Sequence, residues 1–154
     1  MTISRAVVLT SPWPGWQAAN GNQSVDLSGY QPGTIYQDVS IIAGQTYLLS
    51  FAVAGNPYEG PAIKRMEIWW DTALVDTVVF DTTGFSYSNM GWVYHEYSVV
   101  ASNPFTRLEF RSLTDGTAGP ALDDVSLTLV PLPNAALLVV FGAGIVEWKR
   151  HRRT

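Results

Sequence analysis

The sequence predicts an all-β protein, a jelly-roll β-sandwich of about eight strands, followed by a short hydrophobic C-terminal helix. Three observations carry this. Residues 24–129 are short apolar runs cut at close intervals by glycine and proline. Tyr47, Leu49, Phe51 and Val53 alternate with the period of two of a half-buried strand. No stretch of that region carries an apolar stripe of helical period and useful length.

Taken in order, the expected strands are residues 24–27, 34–39, 46–54, 64–70, 77–81, 92–100, 106–113 and 121–129. The breaks between them are residues 29–33, 43–45, 55–57, 115–116 and 119–120. In each, glycine supplies positive φ or proline a fixed φ. Eight short strands at this spacing fit two packed antiparallel sheets.

Beyond Leu129 the character changes, so the chain divides into a domain of residues 1–129 and a segment of residues 130–154. Val130, Pro131, Leu132 and Pro133 form a stiff spacer, because proline lacks the backbone donor a central strand needs. Residues 135–146 are apolar, and Glu147, Trp148 and the basic run of residues 149–153 follow. As a helix the apolar run reaches roughly 18 Å, against a hydrocarbon core of roughly 30 Å. The order of apolar run, interfacial tryptophan and cations (Arg150, Arg152 and Arg153 among them) is that of a transmembrane helix with a cytoplasmic positive end. Glu147 favours the other reading, a buried or amphipathic helix.

Composition excludes several classes. The 154 residues are 47% hydrophobic, 12% aromatic and 14% charged, too apolar for disorder and the right size for one domain with a core. With no cysteine there is no disulfide scaffold, thiolate zinc site or cysteine nucleophile. The formal charge of -4 is uneven: residues 1–129 hold 5 basic and 12 acidic residues. An acidic body repels a phosphate backbone, so no nucleic-acid partner is expected. The N-terminus shows no 7–15-residue apolar core of a signal peptide.

Catalytic residues are not expected. Of the two histidines, His151 lies in the basic tail and His95 alternates with Val93, Tyr97 and Val99 as a sheet residue. No Gly-x-Ser-x-Gly elbow is present. A glycan hydrolase needs two facing carboxylates. Glu67, Glu96 and Glu109 qualify by type alone, which keeps that class open as an alternative.

Sugar binding has a better physical basis, because C–H faces stack on aromatic rings while hydroxyls bond carboxylates. Met66, Ile68 and Trp70 form an inward set, which turns Trp69 outward with Arg65 and Glu67. Tyr94 and Glu96 share a face of another strand and would extend this platform. Asp123, in phase with Val125, Leu127 and Leu129, is expected to point toward the core. A buried carboxylate there needs amide donors, a cation or a proton.

Six segments in order also carry a resemblance. They are Trp16-Gln-Ala-Ala-Asn-Gly-Asn-Gln-Ser-Val-Asp-Leu-Ser-Gly29, Gly44-Gln-Thr-Tyr47, Ala54-Gly-Asn-Pro57, Phe80-Asp-Thr-Thr-Gly84, Asn89-Met-Gly-Trp92 and Gly119-Pro-Ala-Leu-Asp-Asp-Val-Ser126. Together they resemble the choice-of-anchor C family of bacterial surface proteins, over about residues 16–129. The domain of that family is similar to the galactose-binding-like domain of certain plant cell-wall proteins of unknown function. The tail, from Val130-Pro-Leu-Pro133 to the arginines, resembles a PEP-CTERM-type sorting signal.

The resemblance implies a bacterial cell-surface or extracellular location, reached by processing at the membrane by an exosortase-type enzyme. It also implies a structural calcium at Asp123, with no other cofactor required. Family members open with a signal peptide and a strand that this sequence does not show, so an N-terminal truncation and an open sheet edge near residues 24–27 are expected. The function expected is non-catalytic binding of polysaccharide or extracellular matrix. A surface or biofilm structural protein without a small ligand is the alternative.

Overall fold

The alternation of side chains decides which way each strand faces. The computed structural model describes residues 2–4, 8–10 and 15–131. Among them are ten strands: β1 (Thr2–Ser4), β2 (Val8–Thr10), β3 (Ser24–Asp26), β4 (Thr34–Ser40), β5 (Thr46–Gly55), β6 (Ile63–Trp70), β7 (Ala73–Asp81), β8 (Val93–Val100), β9 (Phe105–Ser112) and β10 (Pro120–Leu129). They form two five-stranded antiparallel sheets. Sheet A has the order β1-β4-β9-β6-β7 and sheet B the order β2-β3-β10-β5-β8.

The inward faces make one core. From β6 come Met66, Ile68 and Trp70, from β9 Leu108 and Phe110, and from β5 Leu49, Phe51 and Val53. Phe51 lies at its centre, fully buried, with its ring edge-on to Phe110 across the two sheets at 5.1 Å. The indole N–H of Trp70 donates to the Val100 carbonyl at 2.8 Å, which ties β6 of sheet A to β8, an edge strand of sheet B. Sheet B is also covered on its outside. Ala52, Ala54 and Ala121 are completely buried although they do not share the inward phase of Leu49, Phe51 and Val53. Residues 15–23 run near that outer surface, with Gln17 bonded to Tyr87 and Ala19 to Asp123.

All eight expected strands are present, and the differences have physical causes. Strand β7 begins at Ala73, four residues before the expected start. A two-residue turn with Asp71 at φ 57° brings the chain straight back onto β6, so Ala73, Leu74 and Asp76 pair as well. The edge near residues 24–27 is not open, because β2 pairs with β3 over Val8↔Asp26 to Thr10↔Ser24. Asp123 does not share a face with Leu127. Between Asp123 and Ser126 strand β10 gains one residue over β5, a bulge with Asp124 at φ 48°. One extra residue turns every following side chain to the other face. Leu122 therefore fills the core, Asp123 faces outward, and Val125 is exposed.

The last described residues are Val130 and Pro131, the Val130 amide donating to Thr46 O at 2.9 Å. Leu132, Pro133, the apolar run and Arg150, Arg152 and Arg153 lie outside the described residues. Among the described residues no helix is long and apolar enough to cross a membrane.

Candidate functional site

The outer face of sheet A is built from the outward positions of β4, β6 and β9. Cross-strand register places Tyr36, Glu109 and Trp69 in one row, with Arg107 opposite Asp38 and Arg111 opposite Glu67. Arg107 donates from Nε to Asp38 Oδ1 at 2.7 Å and from Nη2 to Oδ2 at 2.9 Å. Its guanidinium stands 3.8 Å from the centre of the Tyr36 ring. Arg111 repeats the arrangement, with Glu109 as carboxylate partner at 2.7 and 3.1 Å and Trp69 as the ring beneath at 4.4 Å. The Trp69 indole donates to Glu67 Oε2 at 2.8 Å. The hydrogen bond from Arg107 holds the Asp38 carboxyl below its ordinary range, and the Glu109 partner raises Arg111.

This strip opens, where β9 begins, into a cavity of about 410 Å³ lined by Asp38, Asp71, Phe105, Thr106 and Arg107. Phe105 is 72% exposed, so a large apolar ring faces solvent beside two carboxylates and a guanidinium. The β6–β7 turn brings Asp71 in, its amide donating to the Arg107 carbonyl at 2.7 Å. An apolar platform with a few convergent polar groups is what a polar, ring-shaped ligand requires. Trp69 and Glu67 stand together as expected, but a guanidinium already covers one face of the indole. Phe105, Tyr36, Asp38 and Asp71 were not singled out in the sequence. The alternation of Phe105, Arg107, Glu109 and Arg111 would have put them on one face, whereas the pairing with β4 and the turn is long-range.

Tyr94 and Glu96 do not extend this face. They belong to β8 in sheet B, on the opposite side of the sandwich. Both sheets therefore separate Glu67 from Glu96, and this pair makes no hydrolytic cleft. The Tyr94 hydroxyl donates instead to Asp124 Oδ2 at 2.9 Å, which raises its pKa. Asp124 Oδ1 accepts from Asn20 Nδ2 at 3.1 Å.

Asp123 has the first of the three partners a shielded carboxylate needs. Its Oδ2 accepts from the amides of Ala19 and Asn20 at 2.8 and 3.0 Å, and its Oδ1 from that of Asp124 at 2.7 Å. Three N–H groups thus point where a calcium ion would require further oxygens. Among the described residues no three acids or histidines come together to hold a metal. Among the described residues, those around Asp123 do not fit the calcium that the resemblance implied.

His95 packs inward, its ring stacked on Phe51 at 5.8 Å and on Tyr97 at 6.5 Å. Burial pushes its pKa down, and Asp76 opposes this. The Tyr97 hydroxyl donates to Asp76 at 2.7 Å and is pushed up to about 12, chiefly by burial. This cluster closes the sandwich between β7 and β8.

Known proteins place the chain in context. It is 26% identical over 151 residues to Protein DUF642 L-GALACTONO-1,4-LACTONE-RESPONSIVE GENE 2 of Arabidopsis thaliana, covering 80% of this chain and 38% of that protein. It is 29% identical over 115 residues to Halomucin of Haloquadratum walsbyi, covering 73% of this chain and 1% of that protein. The chain thus spans well under half the length of both relatives.

Two solved structures share the fold. One is a family 35 carbohydrate binding module from an environmental isolate, with TM-score 0.58, 14% identity, and coverage of 86% of this chain and 90% of that one. The other is TmCBM61, solved in complex with β-1,4-galactotriose, with TM-score 0.55, 19% identity, and coverage of 84% and 86%. The family described as "Protein of unknown function (DUF642)" matches residues 14–128, and the chain belongs to that family.

Proposed function

We propose that the protein is a non-catalytic carbohydrate-binding module whose ligand lies on the outer face of sheet A. The observation that carries this is the cavity beside Phe105. An exposed ring, two carboxylates and a fixed guanidinium meet there on strands and a tight turn. Phe105 offers a stacking face, Asp38 and Asp71 accept sugar hydroxyls, and Arg107 donates. The row of Tyr36, Glu109 and Trp69 continues the surface along the sheet. The Arg107–Asp38 pair keeps both groups in place before the ligand arrives, which reduces the ordering cost of binding.

The likeness to carbohydrate binding modules supports the reading through the shared fold. A secreted or cell-surface location, a polysaccharide or matrix partner, and delivery by an exosortase-type enzyme are further parts of the proposal. They rest on the resemblances of the sequence.

Affinity gels containing individual polysaccharides test the binding. The full chain is expected to be retarded by at least one polymer. Phe105→Ala should abolish that retardation at the sheet A site, and Trp69→Ala should weaken it about threefold to tenfold. If Phe105→Ala and Trp69→Ala both run like the native protein, the sheet A face is not the ligand surface.

A further inference from the structure

The loops at the other end of the sandwich hold a second group of aromatic rings, and the fold immobilises them at some cost. Tyr58, in the β5–β6 loop, is 70% exposed. Its ring lies within 13° of parallel to that of Tyr87, from the β7–β8 loop, with centroids 6.4 Å apart. Trp16 packs on Tyr87 at 5.5 Å.

Exposed loops are ordinarily among the mobile parts of a protein. Here buried charges hold the loop that carries Tyr58. Lys64 is 1% exposed, at an inward position of β6 where its neighbours Met66 and Ile68 are apolar. Its Nζ donates to the carbonyls of Glu59 at 2.8 Å and Ala118 at 2.7 Å, which joins two loops. Asp26 is also buried, accepting from Asn56 Nδ2 at 2.7 Å and from the amides of Ser28 and Gly119 at 2.9 and 3.1 Å. Asn56 in turn accepts from the Tyr58 amide at 2.9 Å. The Thr117 hydroxyl donates to the Glu59 carboxylate. Tyr87 is held from the other side, its carbonyl accepting from the Gln17 amide at 2.8 Å.

Burying a cation and a carboxylate is unfavourable unless both are fully partnered, and apolar residues would close a sandwich end as well. What the charges secure is a fixed geometry for the exposed Tyr58 ring beside the half-buried Tyr87 and Trp16, and such pre-organisation favours binding. We propose that Tyr58, Tyr87 and Trp16 form a second carbohydrate site, opposite the Phe105 cavity, so that one molecule bridges two glycan chains. This rests on the carbohydrate reading above. The three loops, residues 56–62, 82–92 and 113–119, carry Glu59 and Asp115 but no exposed cation. An acidic rim of this kind repels a uronate, so the ligand is a neutral sugar. Rings supply the stacking face, while the Glu59 carboxylate and the tyrosine hydroxyls bond its hydroxyl groups.

The full chain is tested in affinity gels with neutral β-1,4-galactan, xylan and mixed-linkage β-glucan, and with polygalacturonate as the acidic comparator. It is then titrated calorimetrically with a trisaccharide of whichever polymer retards it. The native protein is expected to bind two trisaccharides. Tyr58→Ala and Phe105→Ala should each bind one, and the double variant none, all with native melting curves because both side chains are exposed. Each lost site should weaken by about tenfold or more. Unchanged stoichiometry in Tyr58→Ala, or loss of all binding in Phe105→Ala alone, overturns the second site and leaves the carbohydrate reading intact. Retardation by polygalacturonate that Tyr58→Ala abolishes overturns the neutral-sugar assignment. If no polymer retards the native chain, the carbohydrate reading fails and the second site falls with it.

Discussion

Lys64 shows how a single residue can couple core and surface. Its stem packs inside the sandwich while its ammonium ends at two loop carbonyls. Lys64→Met keeps most of the stem and removes the donor, so the Glu59 and Ala118 carbonyls lose their partner. The expected cost is about 1–3 kcal/mol, read from urea unfolding of the variant against the native chain. A change below about 0.5 kcal/mol would mean that water replaces the ammonium at no loss. His95 makes a second residue-scale prediction. Burial depresses its pKa from the ordinary 6.5, so the unfolded chain binds the proton more readily than the folded one. Its contribution to stability is therefore complete above about pH 6.5 and is lost as pH falls below that value. The melting temperature should drop between about pH 7 and about pH 5, and His95→Phe should remove part of that drop. Asp76 faces the ring, and its own pKa is lowered by bonds from Tyr97 and Thr77. It therefore stays ionised across this range and does not mimic the effect. Both residues lay in sight in the sequence, and His95 was legible as a sheet residue from its alternation with Val93 and Tyr97. Lys64 was not legible as a buried cation, because its partners come from loops 5 and 54 positions away.

At the scale of elements, all eight strands from Ser24 to Leu129 followed from apolar runs and their breaks, since period two and turn residues are local properties. What was not legible was the bulge in β10. Nothing in Leu122-Asp-Asp-Val125 announces an extra residue, and the phase of Asp123 read from the sequence was wrong for that reason alone. The same limit hid the separation of Trp69 from Tyr94. Each was correctly read as outward, but which sheet a strand joins is set by long-range pairing. The bulge allows a sharp test. Deleting Asp124 removes the extra residue, so Ser126 to Leu129 keep their partners on β5 and Leu127 stays opposite Leu49, packed on the core. That variant should therefore keep a cooperative thermal transition. Asp124→Gly keeps the count and suits the φ of 48°, so it should melt cooperatively, within about 1 kcal/mol of the native chain. A deletion variant without a cooperative transition would show that β10 needs the bulge itself and not only the register on either side of it.

The whole molecule distributes its charge unevenly, and this bears on which ligands it admits. Among the described residues the exposed cations are Arg65, Arg107 and Arg111, all at outward positions of sheet A. Arg107 and Arg111 are each matched by a carboxylate at 2.7 Å. Exposed acids without such a cation, among them Glu59, Asp76, Asp81, Glu96 and Asp115, lie on β7 at the edge of sheet A, on sheet B and in the loops. Long-range attraction for a polyanion is therefore weak on one face and reversed on the rest. A neutral glycan held by stacking and short hydrogen bonds exchanges no counterions on binding. Between about 0.1 M and about 1 M salt the screening length falls from ~10 to ~3 Å. Affinity for the trisaccharide of the retarding polysaccharide should change less than about threefold over that range, measured in the same calorimetric titration. A polyanion drawn to Arg65 and to an Arg107 released from Asp38 would behave oppositely, weakening by about tenfold or more. A steep loss with salt would thus replace stacking at Phe105 by ion pairing as the basis of recognition. A flat response leaves the aromatic rings as the groups that choose the ligand, with the arginines positioning it.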